Sequence, residues 1–489
     1  MLKRPVRKPD RLSGAGHNHR TRGSFVTRDA PDRFTALLAA AAMGVYVLLV
    51  VGATSALTDA ASACRSWPAC GGRWFALDSA SLAIVWGHRT AAAVTGILVV
   101  AVAALAWRRD ESLRVRAATA LALASYPVQI WVGAVAATSG VSAAVAGAHL
   151  ALGVVIFAAL VAALAWTLET QTGDLPSTEW EGSAKGADDG EPTPGSGPVA
   201  TAYAYFRLMK PRLMWLLCLV ASAGMALAAG PDLEVGTVLA TLGGGVLAIG
   251  ASGTFNHVLE REKDERMSRT DDRPLANDRI PLRNAVAFAF VLAAASMVAF
   301  LSVNVLTAAL GLTAIVFYSV IYTLVLKPNT RQSTVIGGAA GALPALIGWA
   351  AVTGDVVGPG PTGIAGLGLA AVIFLWTPAH FYNLALAYKD DYERGGFPLM
   401  PVVSGEATTR KHILYYLGAT LVSALALAAV TGLGALYAGT TVVFGSVFLY
   451  FAVRLHRERD RAAAMRSFHA SNAYLGCLLV AVVLDAMVV

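Results

Sequence analysis

The chain has 489 residues, of which 56% are hydrophobic and 14% charged, with a net charge of +7 and a mean hydropathy of +0.59. A soluble domain carries about 25% charged residues, so this composition excludes a chain folded wholly in water and predicts an all-α, polytopic membrane protein. The Lys and Arg sit in short clusters beside apolar runs, which is the pattern of the positive-inside rule and not of a nucleic-acid-binding surface.

Residues 1–33 form a basic tail in which Pro and Gly are scattered; it predicts a disordered cytoplasmic segment that orients the first helix. Apolar runs follow near 34–57, 84–106, 117–138 and 143–166, each close to the length of about 20 residues that crosses a bilayer. They predict a four-helix bundle over 34–166. The stretch 167–202 is polar and rich in Pro, Gly and acids, the composition of a disordered linker. Nine further runs, from 211–229 to 468–487, predict a nine-helix bundle over 203–489. With the N-terminus inside, the basic loops 107–116, 261–283 and 454–466 all fall on the cytoplasmic side of a cell membrane, and the charge-poor loops fall outside.

In the first bundle, His88 and His149 lie a few residues into the second and fourth helices, at matching depth near the outer end. Ionisable residues within a membrane are costly and often functional. Two imidazoles so placed suit the axial ligation of one heme iron, or two separate interhelical hydrogen bonds. Cys64 and Cys70 share an outer loop where a disulfide is permitted; Cys218 and Cys477 read as packing residues.

In the second bundle, Asn256, Glu260 and Asp264 recur every four residues, which places them along one helical face. Such oxygen donors suit Mg²⁺, which takes one or two carboxylates and shares its shell with phosphates. Arg266, Arg269 and Arg273 follow and could hold a diphosphate; a solvated charged helix end is the bland alternative. A second polar cluster, Lys389, Asp390, Asp391, Tyr392 and Arg394, falls on the same side, beyond an apolar run that contains His380. Two acidic clusters with cations nearby describe a metal–diphosphate site, and hence the ionisation of an allylic diphosphate.

These segments resemble the intramembrane prenyltransferase superfamily, and within it the protoheme IX farnesyltransferase (heme O synthase) family. The likeness is carried by Leu208 to Arg212, Asn256 to Leu275, Tyr322 to Lys327, Ile336 to Trp349, Trp376 to Phe381, and the Asp391–Tyr392 pair. It departs from the broader superfamily in having Ala387 and Gly395 where a second carboxylate pair would fall. The resemblance implies farnesyl diphosphate and heme B as substrates and heme O as product. It implies Mg²⁺ at Asn256, Glu260 and Asp264, with Asp391 as a further ligand, and catalytic roles for Asp390, Asp391 and Lys327. Lys210, Arg212, Arg269, Arg273, Tyr322, His380, Lys389 and Tyr392 become candidate substrate-binding residues. His380 is equally readable as a buried histidine bonded to a neighbouring helix.

The first bundle resembles one half of heme A synthase through Gly52 to Thr54, Cys64, Trp67, Pro68, Cys70, His88, Arg89, Gln129, Gly133 and His149. That resemblance implies a heme bound by His88 and His149, a Cys64–Cys70 disulfide, and completion of the half-unit by a homodimer. It also implies a heme A synthase or a terminal oxidase as partner. Two other readings of the whole chain are a quinone-precursor prenyltransferase and a heme-carrying membrane module without chemistry.

Overall fold

The computed structural model describes residues 32–57, 60–75, 77–139, 142–173 and 197–488. Most of the basic tail and the centre of the linker lie outside these described residues. Thirteen helices are long and apolar enough to cross a membrane, four before residue 173 and nine after 210, and the chain is a multi-pass membrane protein. A bilayer offers the backbone no partners, so the helix must satisfy its own N–H and C=O groups.

The first bundle consists of α1 (Arg33–Leu57), α2 (Ala80–Arg108), α3 (Leu113–Ser139) and α4 (Ala143–Thr172). Ser79 and Ser142 cap α2 and α4 by accepting from the N–H of Leu82 and Val145, which satisfies donors that a helix start leaves open. The α4 helix continues past the apolar run into residues expected as linker, where Glu169 pairs with Lys411.

The second bundle opens with α5 (Pro198–Leu208), a short helix that does not span and packs through Tyr205 and Leu208 on the helices 235–259 and 282–301. Then come α6 (Pro211–Ala229), α7 (Val235–Leu259), α8 (Leu282–Leu301) and α9 (Val305–Val316), the last continuing as a π-helix over Phe317–Leu326. The bundle is completed by α10 (Ser333–Thr353), α11 (Ala365–Ala387), α12 (Glu406–Thr431), α13 (Ala435–Glu458) and α14 (Arg461–Val488). Helix α6 packs on α7, α10 and α14, so the first and last spans meet and the nine close on themselves. Because spans alternate in direction, the loops after α7, α9 and α11 emerge at one end and the 60–79 loop at the other.

The bundles on either side of the linker share one apolar core. Helices α1 and α4 pack on α12 and α13. Tyr46 donates to the Leu421 carbonyl at 3.2 Å, and Gly418 leaves room for Val161, whose Cγ1 would sit 3.1 Å from an added Cβ. Composition describes the connecting segment and carries no information about how the flanking helices pack.

Candidate active site

Helix α7 ends where Glu260 departs from helical geometry, at φ −103° and ψ 6°, and a single turn, Arg261–Asp264, follows. The four-residue spacing survives the break: the N–H of Glu260 donates to Asn256 O at 2.9 Å, and that of Asp264 to Glu260 O at 2.8 Å. All three side chains are buried, with 2%, 3% and 1% of their surface exposed. A solvated charged helix end would not look like this.

Each of the three donors carries its own cation. Lys327 Nζ donates to both Glu260 oxygens at 2.6 and 2.8 Å. Arg273 Nη1 lies 2.8 Å from both Asp264 oxygens. Lys210 Nζ bonds Asn256 Oδ1, whose amide nitrogen donates to Thr323. Burial opposes the charge on Glu260, but Lys327, Lys210 and Arg273 outweigh it and hold the carboxyl below its usual range. Burial wins at Asp264, which is raised in spite of Arg273. Removal from water, with Arg273 adding repulsion, brings Lys210 down to about 7.

Lys210 reaches this row because it adopts a left-handed conformation, φ 56°, between α5 and α6. The segment before it lies hard against α7 at Gly253, where an added Cβ would fall 2.9 Å from Leu208 O. Lys210 Nζ also lies 3.3 Å from Tyr318 Oη. Tyr318 belongs to the π-helix and stacks on Tyr322, with centroids 5.5 Å apart. Extra turns of this kind recur at functional sites; here the Thr323 hydroxyl donates to Tyr318 O five residues back, setting Thr323 toward Asn256.

The second cluster contacts the first directly. Asp391 accepts from Ser268 Oγ at 2.7 Å and from Arg394, so it tethers the loop that carries Arg269 and Arg273. Burial opposes the ionisation of Asp391, yet the bonds from Ser268 and Arg394 keep its carboxyl low. Arg269 lies over the rings of Tyr388 and Tyr392 at 5.3 and 5.6 Å. Asp390 is exposed, Lys389 pairs with Glu406 at 3.2 Å, and Arg212 lies exposed on the first turn of α6. Gly395 sits in close quarters, since a Cβ there would come within 3.0 Å of Met267 Sδ and of the Phe397 ring.

Below the row lies an apolar cavity walled by α6, α7, α9 and α10, with Phe300 of α8 also lining it and Lys210 and Tyr318 at its head. The donor set is hard oxygen throughout, and among the described residues no three His, Cys, Asp or Glu side chains converge on one point. That set fits a Mg²⁺ that completes its shell with phosphate oxygens and would not fit a metal needing a full protein cage. Tyr318, Thr323 and Ser268 were not singled out from the sequence; the Tyr318–Tyr322 pair at four-residue spacing was the one available signal.

His380 Nδ1 lies 2.7 Å from Ser471 Oγ, and its ring is sandwiched between Trp376 and Phe468, both at 4.3 Å. In the first bundle, the buried Nδ1 atoms of His88 and His149 have no hydrogen-bond partner. Glycines face both rings: a Cβ on Gly133 would come within 3.0 Å of His149 Cε1, and one on Gly52 within 3.5 Å of His88 Cε1. Cys64 and Cys70 are joined in a disulfide, and Arg89, next to His88, donates to the carbonyls of Ser66 and Pro68, both at 2.9 Å.

Comparison with known proteins agrees with this geometry. A family model described as the UbiA prenyltransferase family matches residues 216–476, and one described as cytochrome oxidase assembly protein matches 15–161. The chain is 70% identical over 470 residues to a protoheme IX farnesyltransferase of Halobacterium salinarum, covering 95% of this chain and 100% of that one. It is 60% identical over 463 residues to the protoheme IX farnesyltransferase of Haloarcula marismortui, covering 93% and 98%. A solved structure of digeranylgeranylglyceryl phosphate synthase, 14% identical, superposes with a TM-score of 0.50 over 59% of this chain and 99% of that one, a likeness of fold alone. With a buried row of oxygen donors and cations above an apolar cavity, and relatives of this identity over nearly its whole length, the chain belongs to the UbiA prenyltransferase family.

Proposed function

We infer that the chain transfers the farnesyl group of farnesyl diphosphate to a vinyl group of heme B, giving heme O and diphosphate. The observation that carries this is the row of Asn256, Glu260 and Asp264, each held by its own cation at the head of an apolar cavity. In this reading those three side chains hold Mg²⁺, which when bound supplies Lewis-acid stabilisation of the departing diphosphate. Lys210, Lys327 and Arg273 bind the phosphate oxygens and take up the charge that develops as the allylic C–O bond breaks. Arg269, seated on Tyr388 and Tyr392, does the same from the loop side. The apolar walls keep water from the farnesyl cation. The vinyl π electrons form the new C–C bond, water adds to the porphyrin-side cation, and one proton leaves. Asp391 acts by holding Ser268, and with it the arginine loop.

By charge distribution this site faces the cytoplasm of a cell membrane and the disulfide loop faces outside. An impermeant thiol reagent applied to intact cells should label Ser66→Cys in the Cys64→Ser, Cys70→Ser background and spare Arg266→Cys; the opposite pattern rejects this orientation.

For the first bundle the reading is a heme held by His88 and His149, whose Nδ1 atoms have no partner and whose rings face glycines, although His149 Nε2 lies 3.4 Å from Gln129 Nε2 and would have to exchange that contact for the iron. The purified full-length chain should then show a low-spin bis-imidazole heme spectrum that either His→Ala change removes. A spectrum that persists in the double variant defeats this assignment.

The catalytic row makes a sharper test. Asp264→Ala should lower kcat/KM on the order of a hundredfold or more, whereas Asp390→Ala, at an exposed position, should stay near wild type. Equal losses at both positions, or none at Asp264, contradict the site as drawn.

A further inference from the structure

The cavity beneath the acid–cation row is a slot with a closed end. Along α6 its wall runs from Lys210 to Ala221, about 16 Å at the helical rise. Just below, α6 and α10 meet backbone to backbone: a Cβ on Gly348 would sit 2.0 Å from Ala221 O, and one on Gly224 2.4 Å from Ala345 O. No side chain could be added there without parting the helices. On the α7 side the deep end is bounded by Thr241, Leu242 and the ring of Phe300. Phe300 is fully buried and lines the cavity. It is clasped between Gly244 and Gly311, where an added Cβ would approach ring atoms to 2.8 and 2.4 Å. Ser296 Oγ, one turn earlier on α8, donates to Gly244 O at 2.8 Å and fixes the register that holds the ring.

We propose that Phe300 is the floor of the prenyl pocket and limits the chain that enters to three isoprenoid units. The proposal rests on the prenyltransferase reading above and adds to it the residue that sets donor length. A diphosphate held at Lys210 and Asn256 sends its chain along the apolar wall until the last unit stops against the ring. A fourth unit needs the space the ring fills. The two glycines beside Phe300 mean that removing the ring opens a gap continuous with the slot, since neither glycine has a side chain to fill it. Gly245 provides the opposite handle. It lines the slot about 10 Å deeper than Ser252, and a Cβ built there meets nothing within 4 Å. A side chain at 245 therefore enters the deep end of the slot, beside the ring, and shortens it.

The test uses the purified full-length chain with heme B and an equimolar mixture of geranyl, farnesyl and geranylgeranyl diphosphates, with the prenylated hemes identified by mass. A misplaced unit in an apolar pocket changes discrimination by about tenfold or more. Phe300→Ala should raise the geranylgeranyl-to-farnesyl product ratio by that factor. Gly245→Leu should raise the geranyl-to-farnesyl ratio similarly. Phe300→Leu serves if the alanine variant does not fold, and Gly245→Leu fills open space while improving helix propensity, so it reports independently. Unchanged ratios in folded variants that still prenylate heme overturn the floor and leave the prenyltransferase reading standing. A wild-type chain that prenylates heme from none of the three donors overturns that reading itself.

Discussion

Three buried oxygen donors, each paired to a separate protein cation, are the interaction on which the rest of this molecule depends. Taking an ion out of water costs several kcal/mol even after relaxation, and the cost is recovered only with a close partner and good geometry. Glu260 finds Lys327 and Asp264 finds Arg273, both at 2.8 Å or less, and Asn256 finds Lys210. The cations come from three distant parts of the chain, so the pairs tie together the segment before α6, the loop after α7 and the end of the π-helix. Losing one member leaves a buried charge unmatched, at about 3–5 kcal/mol. The arrangement is also chemically poised, because phosphate oxygens can replace carboxylates as partners for the same cations.

Much of this was legible in the sequence, for definable reasons. Thirteen spans follow from runs of apolar residues that a bilayer requires to be helical, and the Asn256–Glu260–Asp264 row follows from a period that outlasts the helix break. What was hidden depends on tertiary placement. Lys210 joins the row only through a left-handed residue and a close approach at Gly253. Tyr318 and Thr323 face the site because a π-helix shifts their register. Adjacent acids cannot be told apart by pattern: the short turn over Lys389–Arg394 buries Asp391 and exposes Asp390. The α4 extension past residue 166 escaped because polar residues there are stabilised by α12, as in the Glu169–Lys411 pair.

The two histidines and the acid–cation row lie toward opposite ends of the spanning helices, yet the bundles that carry them share a core along α1, α4, α12 and α13. That shared wall makes the chain one mechanical unit. In the reading proposed here, a porphyrin altered at one end has to travel most of the membrane thickness to reach His88 and His149.

The most direct test of the central claim is the fate of isotope-labelled farnesyl diphosphate incubated with the purified chain, heme B and Mg²⁺. The account predicts a heme whose mass has grown by one farnesyl group and one hydroxyl, formed in equal amount with released diphosphate and abolished by chelation of the metal. Label left in the unreacted diphosphate, or recovered only in farnesol, while heme B stays unchanged would contradict it.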